Sequence, residues 1–90
     1  MSTSKKLAEA RADLSALQKD LPTLQQRVSD LLAQTKSAQD LKDFEKAAQL
    51  QQQRIAYQSL LQDHHKEIEV TQAEVQRLEQ LREKEKQLDS

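Results

Sequence analysis

This chain of 90 residues contains no glycine, no asparagine and a single proline, Pro22. Tight turns draw mainly on those three residue types, because they supply positive φ or a preset φ near −65°. The chain can therefore reverse direction only rarely. That argues against any β-fold and leaves long helices as the structural option. The composition agrees, with 36 % hydrophobic residues, 32 % charged residues, 2 % aromatics and fifteen glutamines. Abundant Ala, Glu, Lys, Leu, Arg and Gln with a regular apolar spacing mark long helices or coiled coil.

The spacing is present in the first half. From Leu7 as position a, the residues Ala10, Leu14, Leu17, Leu21, Leu24, Val28 and Leu31 follow at alternating steps of three and four. Thr35 and Ala38 extend the series more weakly. More than four heptads in one phase make a coiled-coil seam. Thr3 or Ser4 is the expected N-cap.

Pro22 falls at position b, on the outer face, and Leu17, Leu21 and Leu24 hold their phase through it. A reversal at this point would have no reason to conserve that phase. The expectation is one helix kinked at Pro22, which loses a backbone hydrogen bond at a cost of about 3 kcal/mol. The alternative is a break, with Asp20 capping a new helix that carries Pro22 in its first turn. The better place for a reversal is residues 36–43, KSAQDLKD. There the seam runs out at Lys42, and Ser37, Asp40 and Asp43 favour caps. The expected organisation is a single helical domain over residues 1–90. Its first helix spans 3–37, its connection 37–43 and its second helix 44–88, with a straight continuation as the competing possibility.

The second half carries a poorer seam of Ala47, Leu50, Tyr57, Leu61, Ile68, Val75 and Leu78, interrupted by Arg54, His64 and Thr71. Leu81 and Leu88 suggest a phase shift near the end. Phe44, Ala48, Ile55 and Leu60 form a second partial stripe. Folding back near residue 40 would place Leu31 near Leu50, Leu21 near Tyr57 or Leu61, and Leu7 near Thr71 or Val75. The tail EQLREKEKQLDS would then overhang by about ten residues and fray.

The sequence thus predicts an all-α fold, a long antiparallel helical hairpin. A hairpin of this make-up buries little apolar surface by itself. Two adjacent stripes on one helix suit a bundle, so pairing of two hairpins as a dimeric coiled coil or four-helix bundle is expected. The interface candidates are Leu7, Leu14, Leu17, Leu21, Leu24, Val28, Leu31, Phe44, Ala47, Ala48, Leu50, Tyr57, Leu61, Ile68, Val75 and Leu78.

Phe44, Glu45, Ala47, Ala48 and Leu50 read F-E-x-A-A-x-L. This string resembles the core of the UVR motif of bacterial excinuclease subunits and related adaptors. The resemblance covers about a fifth of the chain and implies a short helical hairpin used to dimerise or to dock a partner. The chain departs from the family pattern after Leu50, where Gln51 and Gln52 replace the usual Arg-Asp, and Leu41 and Ile55 are each displaced by one. A capped helix start with closely packed alanines accounts for the same residues.

His65 and Glu69 stand at i,i+4, a spacing that can put two metal ligands on one helix face, but no further cluster completes a site. His64 falls at a seam position, where a polar residue can specify register. Gln49, Gln51, Gln52, Gln53, Gln58 and Gln62 read as a solvated helix face or as a hydrogen-bonded partner surface. Glu83, Lys84, Glu85 and Lys86 alternate in charge and suit weak ion pairs. No Gly-rich phosphate loop and no cysteine occurs, and the carboxylates lie on outer helix faces. No catalytic, cofactor-binding or metal residue is assigned, and no small-molecule substrate is expected.

Fourteen basic and fifteen acidic residues give a formal charge of −1. Phosphate binding requires a net basic surface, so nucleic acid is not the expected partner. No secretory h-region and no run of about 20 apolar residues is present. A cytoplasmic location without membrane contact is therefore the expectation. The function expected is a non-enzymatic coiled-coil interaction or dimerisation module, an adaptor that binds itself and another helical protein. Two alternatives stand beside it. One is an accessory protein of nucleic-acid repair, implied by the UVR resemblance, and the other is a fragment of a longer structural coiled coil.

Overall fold

The computed structural model describes residues 2–89. Two helices account for nearly all of them, α1 over Thr3–Asp40 and α2 over Phe44–Asp89. The chain is all-helical, and the two helices run antiparallel as a hairpin. It divides into two units. The turn-proximal unit is Asp20–His64. The turn-distal unit joins the first part of α1, up to Lys19, to the last part of α2, from His65.

α1 begins at Thr3 as expected, but its cap is Ser2, one residue before the expected caps. The Lys5 amide donates to the Ser2 side-chain oxygen (3.2 Å) and the Lys6 amide to the Ser2 carbonyl (3.1 Å). Ser2 therefore satisfies amides that a helix start leaves unpaired. The helix runs unbroken through Pro22. Pro22 and Gln18 are both exposed, so water can reach the Gln18 carbonyl that receives no amide from the proline. The alternative of a break capped by Asp20 is not what the chain adopts.

Residues 37–40 stay helical, so the connection is shorter than the sequence suggested and consists of residues 41–43. It reverses the chain without glycine. The Lys42 amide donates to the Gln39 carbonyl (2.9 Å) and the Asp43 amide to the Ala38 carbonyl (2.9 Å). Lys42 itself has φ of 60°. This is the Schellman closure of a helix, with a lysine in the left-handed position that glycine usually takes. Asp43 then caps α2, accepting the Lys46 amide at its Oδ1 (3.2 Å) and the Ala47 amide at its carbonyl (3.0 Å). One residue closes the first helix and opens the second, which is how three residues suffice.

The seam forms within each unit. In the turn-proximal unit Leu31, Ala38, Ala47 and Leu50 are buried together, with Tyr57 packed against them. In the turn-distal unit Leu7, Ala10, Val75 and Leu78 are buried together, with Leu14 against them. Partners have numbers that add to about 85 (38 with 47, 10 with 75, 7 with 78). The expected total near 80 is displaced because the turn is centred on Lys42 rather than on residue 40. The displacement also shortens the overhang. Thr3 donates from Oγ1 to Glu85 (2.7 Å), and Arg82 is half-buried, so the tail is engaged at least as far as residue 85.

Burial along α2 keeps one phase through Ile68, Thr71, Val75, Leu78 and Arg82. The expected phase shift at Leu81 and Leu88 does not occur, and both leucines are exposed. Seam positions 14, 17, 21, 24 and 28 are only half-buried. A two-helix seam leaves each leucine open on its flanks unless a small residue opposite lets the backbones approach. Ala10, Thr35, Ala38 and Ala47 provide that near the two buried clusters. Thr35 is buried at 3 % exposure, and its hydroxyl donates to the Leu31 carbonyl (2.7 Å), so its burial leaves no polar atom unpaired.

Candidate functional surface

The candidate interface residues separate into two groups. All except Phe44 and Ala48 lie on the seam between the protein's own helices, buried or half-buried. The seam is thus occupied by intrachain packing, and what a second molecule can reach is the outer surface. Phe44 and Ala48 are exposed, Phe44 at 66 %. In the F-E-x-A-A-x-L string the alternation is clear: Ala47 and Leu50 face the seam, and Phe44 and Ala48 do not.

Other large apolar side chains are exposed as well: Leu32, Leu41, Ile55, Leu60 and Val70. They do not form one stripe. An α-helix advances about 100° per residue, so Phe44, Ala48, Gln51, Ile55, Gln58 and Gln62 fall within an arc of roughly 80°. Leu60 lies about 160° from Phe44 and does not continue that line, contrary to the stripe read from the sequence. Gln51 joins the line to α1. It lines an open groove of about 620 Å³ together with Leu32, Ala33, Lys36, Gln39 and Arg54. Leu32 was absent from the sequence-based candidates because Leu31 beside it satisfies the heptad. Its position next to the seam, on the side where α2 carries Phe44 and Ile55, was the available signal.

Arg54 interrupts the seam of α2 and is half-buried. Its guanidinium donates to the side-chain oxygens of Gln51 (3.2 Å) and Gln58 (2.6 Å). The glutamine-rich stretch is therefore partly ordered by an arginine that the heptad would have left unpaired. The Arg27 guanidinium lies 5.4 Å from the centroid of the Tyr57 ring, a cation–π contact.

The turn-distal unit presents a different surface. An open groove of about 560 Å³ is lined by Asp13, Ala16, Leu17, Lys66, Glu67, Val70 and Thr71. Charged groups dominate beside it. Arg11 and Glu79 approach to 3.8 Å, and Arg77 grips Glu74 with bonds of 2.7 and 3.0 Å. The hydrogen bond from Arg77 is the main cause that holds the Glu74 carboxyl below the usual range; desolvation opposes it, and the charges of Arg77 and Lys6 add to the lowering. Both groups are solvated, so the pair contributes little to stability.

His64 is half-buried on the seam, and His65 is exposed. Among the described residues no group of three or more His, Asp or Glu side chains is placed to hold a metal ion. Among the same residues no helix is long and apolar enough to cross a membrane. No protein-family model matches this chain, and no curated protein and no solved structure matches it.

Proposed function

We propose that this protein is a non-enzymatic helical interaction module that works by self-association, as a dimerising coiled-coil element. The observation that carries this reading is the surface it leaves uncovered. The chain exposes 6833 Å² at a mass of 10.4 kDa. Folded monomers of that mass expose about 5,400 Å². The excess of about 1,400 Å² exceeds the roughly 800 Å² that each partner buries in a specific protein–protein interface. Leu32, Phe44, Ile55, Leu60 and Val70 lie within that surface at more than half exposure.

The arginines support a protein partner over a nucleic acid. Arg11 faces Glu79, Arg27 covers Tyr57, Arg54 is bonded to glutamines and Arg77 to Glu74. Cations engaged by the chain's own groups, spread over both units, do not make the continuous basic stripe that phosphate contacts require. The concavities are open grooves along paired helices, where a carboxylate stays in contact with water, which supports a reading without catalysis.

Sedimentation equilibrium combined with thermal unfolding tests the proposal. A mass that is a multiple of one chain is expected, with a Tm that rises over a hundredfold range of concentration because association stabilises the folded form. A single-chain mass with a Tm independent of concentration would sink it.

A further inference from the structure

We infer that one side of the turn-proximal unit is a docking groove for an amphipathic helix of another protein, one whose apolar stripe is flanked by carboxylates. Leu32 and Ala33 of α1 give the groove its apolar part, and Lys36 and Arg54 give it its charge. This goes beyond the self-association proposed above and does not depend on it.

Lys36, Gln51 and Arg54 line the same open groove of about 620 Å³ as Leu32 and Ala33, and no carboxylate lines it. The bias extends to the sequence around the groove. Residues 31–39 of α1 and 46–62 of α2 hold Lys36, Lys46 and Arg54 and no acid, in a chain whose net charge is −1. Asp40 stands one turn beyond Lys36, but it does not border the groove, and among the described residues it makes no ion pair with Lys36. Arg54 is bonded to Gln51 and Gln58, whose amide oxygens orient the guanidinium without neutralising it. A half-buried cation held by neutral acceptors gains from a carboxylate, because charge-assisted hydrogen bonds are roughly twice as strong as neutral ones. Leu32 in the groove, and Ile55 one helical turn beyond Gln51, stay more than half exposed and supply apolar surface to cover.

The charge selects the occupant. In a two-fold contact with a second copy, Lys36 and Arg54 would meet their own copies, with no anion between them. Nucleic acid requires a run of phosphate contacts along a basic stripe, and two cations beside an apolar floor do not make one. A helix that lays leucines into a groove and carries carboxylates beside them answers both features. The dimensions fit such a helix. The groove runs along α1 from Ser29 to Gln39, about 15 Å, a length that about three turns of a partner cover. By the register that sets Ala38 against Ala47, Arg54 lies level with Leu31. The two cations are then about five residues apart along the axes, roughly 7 Å, and carboxylates at i and i+4 of the partner, about 6 Å apart, reach both.

The experiment uses two synthetic peptides of about 18 residues, long enough to cover the groove as a helix. Both carry the same stripe of leucines, flanked by glutamates in one and by lysines in the other. Binding to the full chain is read by fluorescence anisotropy, with circular dichroism as the check on the helix content of each variant. The glutamate peptide should bind at least about tenfold more tightly than the lysine peptide. Lys36→Glu should weaken the glutamate peptide by about fivefold or more, and Lys46→Glu, the same charge change outside this groove, by less than about twofold. No preference between the peptides, no binding of either, or equal effects of the two substitutions overturns the proposal. Loss of bound peptide as the chain concentration rises gives the groove to a second copy and overturns it too. So does stronger competition by a short oligonucleotide than by the unlabelled peptide, which gives the groove to phosphates. If Lys36→Glu lowers helix content, Lys36→Gln is measured instead, and an affinity unmoved by it overturns the assignment. The mass of the chain alone, from sedimentation equilibrium, decides self-association separately.

Discussion

The two units are made from the same heptad seam and differ in how the seam is closed. In the turn-proximal unit Ala38 meets Ala47 across a three-residue connection. In the turn-distal unit Leu7 meets Leu78, and nearly the whole chain lies between them. The separation grows by roughly three doublings, each costing about 0.6 kcal/mol of closure entropy, so the distal contacts start about 2 kcal/mol behind. Forming the proximal unit first would shorten the loop left to close and remove most of that difference. Their surfaces differ as well. The proximal unit exposes Leu32, Phe44 and Ile55 beside an arginine bonded to glutamines, and the distal unit carries ion pairs that add little. One repeat thus meets two different closure costs, with distance from the turn deciding which contacts form more cheaply.

The strongest way to break the comparison is to cut the same side chain from each unit. Leu31 and Leu7 are 0 % and 1 % exposed, so truncation to alanine removes comparable packing, about 2–5 kcal/mol in each case. The consequences should differ. Leu31→Ala should lower amide protection throughout the protein, because losing the proximal unit restores the full closure cost of the distal contacts. Leu7→Ala should release amides near residues 3–14 and 71–85 and leave those of 31–50 protected. Hydrogen exchange read residue by residue decides this. Uniform loss of protection in Leu7→Ala would mean that the two units are one cooperative body.

Pro22 tests how the difference is transmitted. It lies in the α1 arm of the proximal unit, close to where the distal unit begins. Alanine at an exposed helix-interior site is favoured over proline by about 3 kcal/mol. Pro22→Ala should therefore raise Tm, and it should raise protection in residues 3–19 more than in residues 31–38, since α1 gains a continuous hydrogen-bond ladder between them. No gain in Tm would mean that the helix already accommodates the ring by bending, at little cost.

Most of the fold was legible from the heptad. Seam phase, the cap at Asp43 and the passage of α1 through Pro22 all follow from apolar spacing and side-chain chemistry, which act locally. The expected neighbours Leu31 and Leu50, and Leu7 and Val75, do share their buried clusters, but the exact centre of the turn was hidden because Lys42 gives no sign in the sequence that it takes a positive φ. A left-handed lysine is imposed by the two helices packing on either side of it. The outer face was legible only in part. Phe44 and Ile55 were visible as a second stripe, but Leu60 was wrongly grouped with them and Leu32 was hidden beside Leu31. A heptad marks what lies inside and treats everything outside as equivalent. Sorting the outer positions into faces needs the register of the partner helix, and that comes from the turn.

The turn itself offers the smallest and sharpest test. Lys42 sits at φ of 60°, where a residue with a β-carbon is strained by about 1–2 kcal/mol relative to the right-handed region. Glycine has no such strain there, but its unfolded chain has more conformations to lose, which offsets up to about 1 kcal/mol. The balance for Lys42→Gly is a stabilisation of about 1 kcal/mol or less, read as a modest rise in Tm. It should appear undiminished in a Leu7→Ala background, because the turn and Leu7 belong to different units. A gain that vanished in that background would place the turn and the distal seam in the same cooperative step, and the two units would then unfold as one.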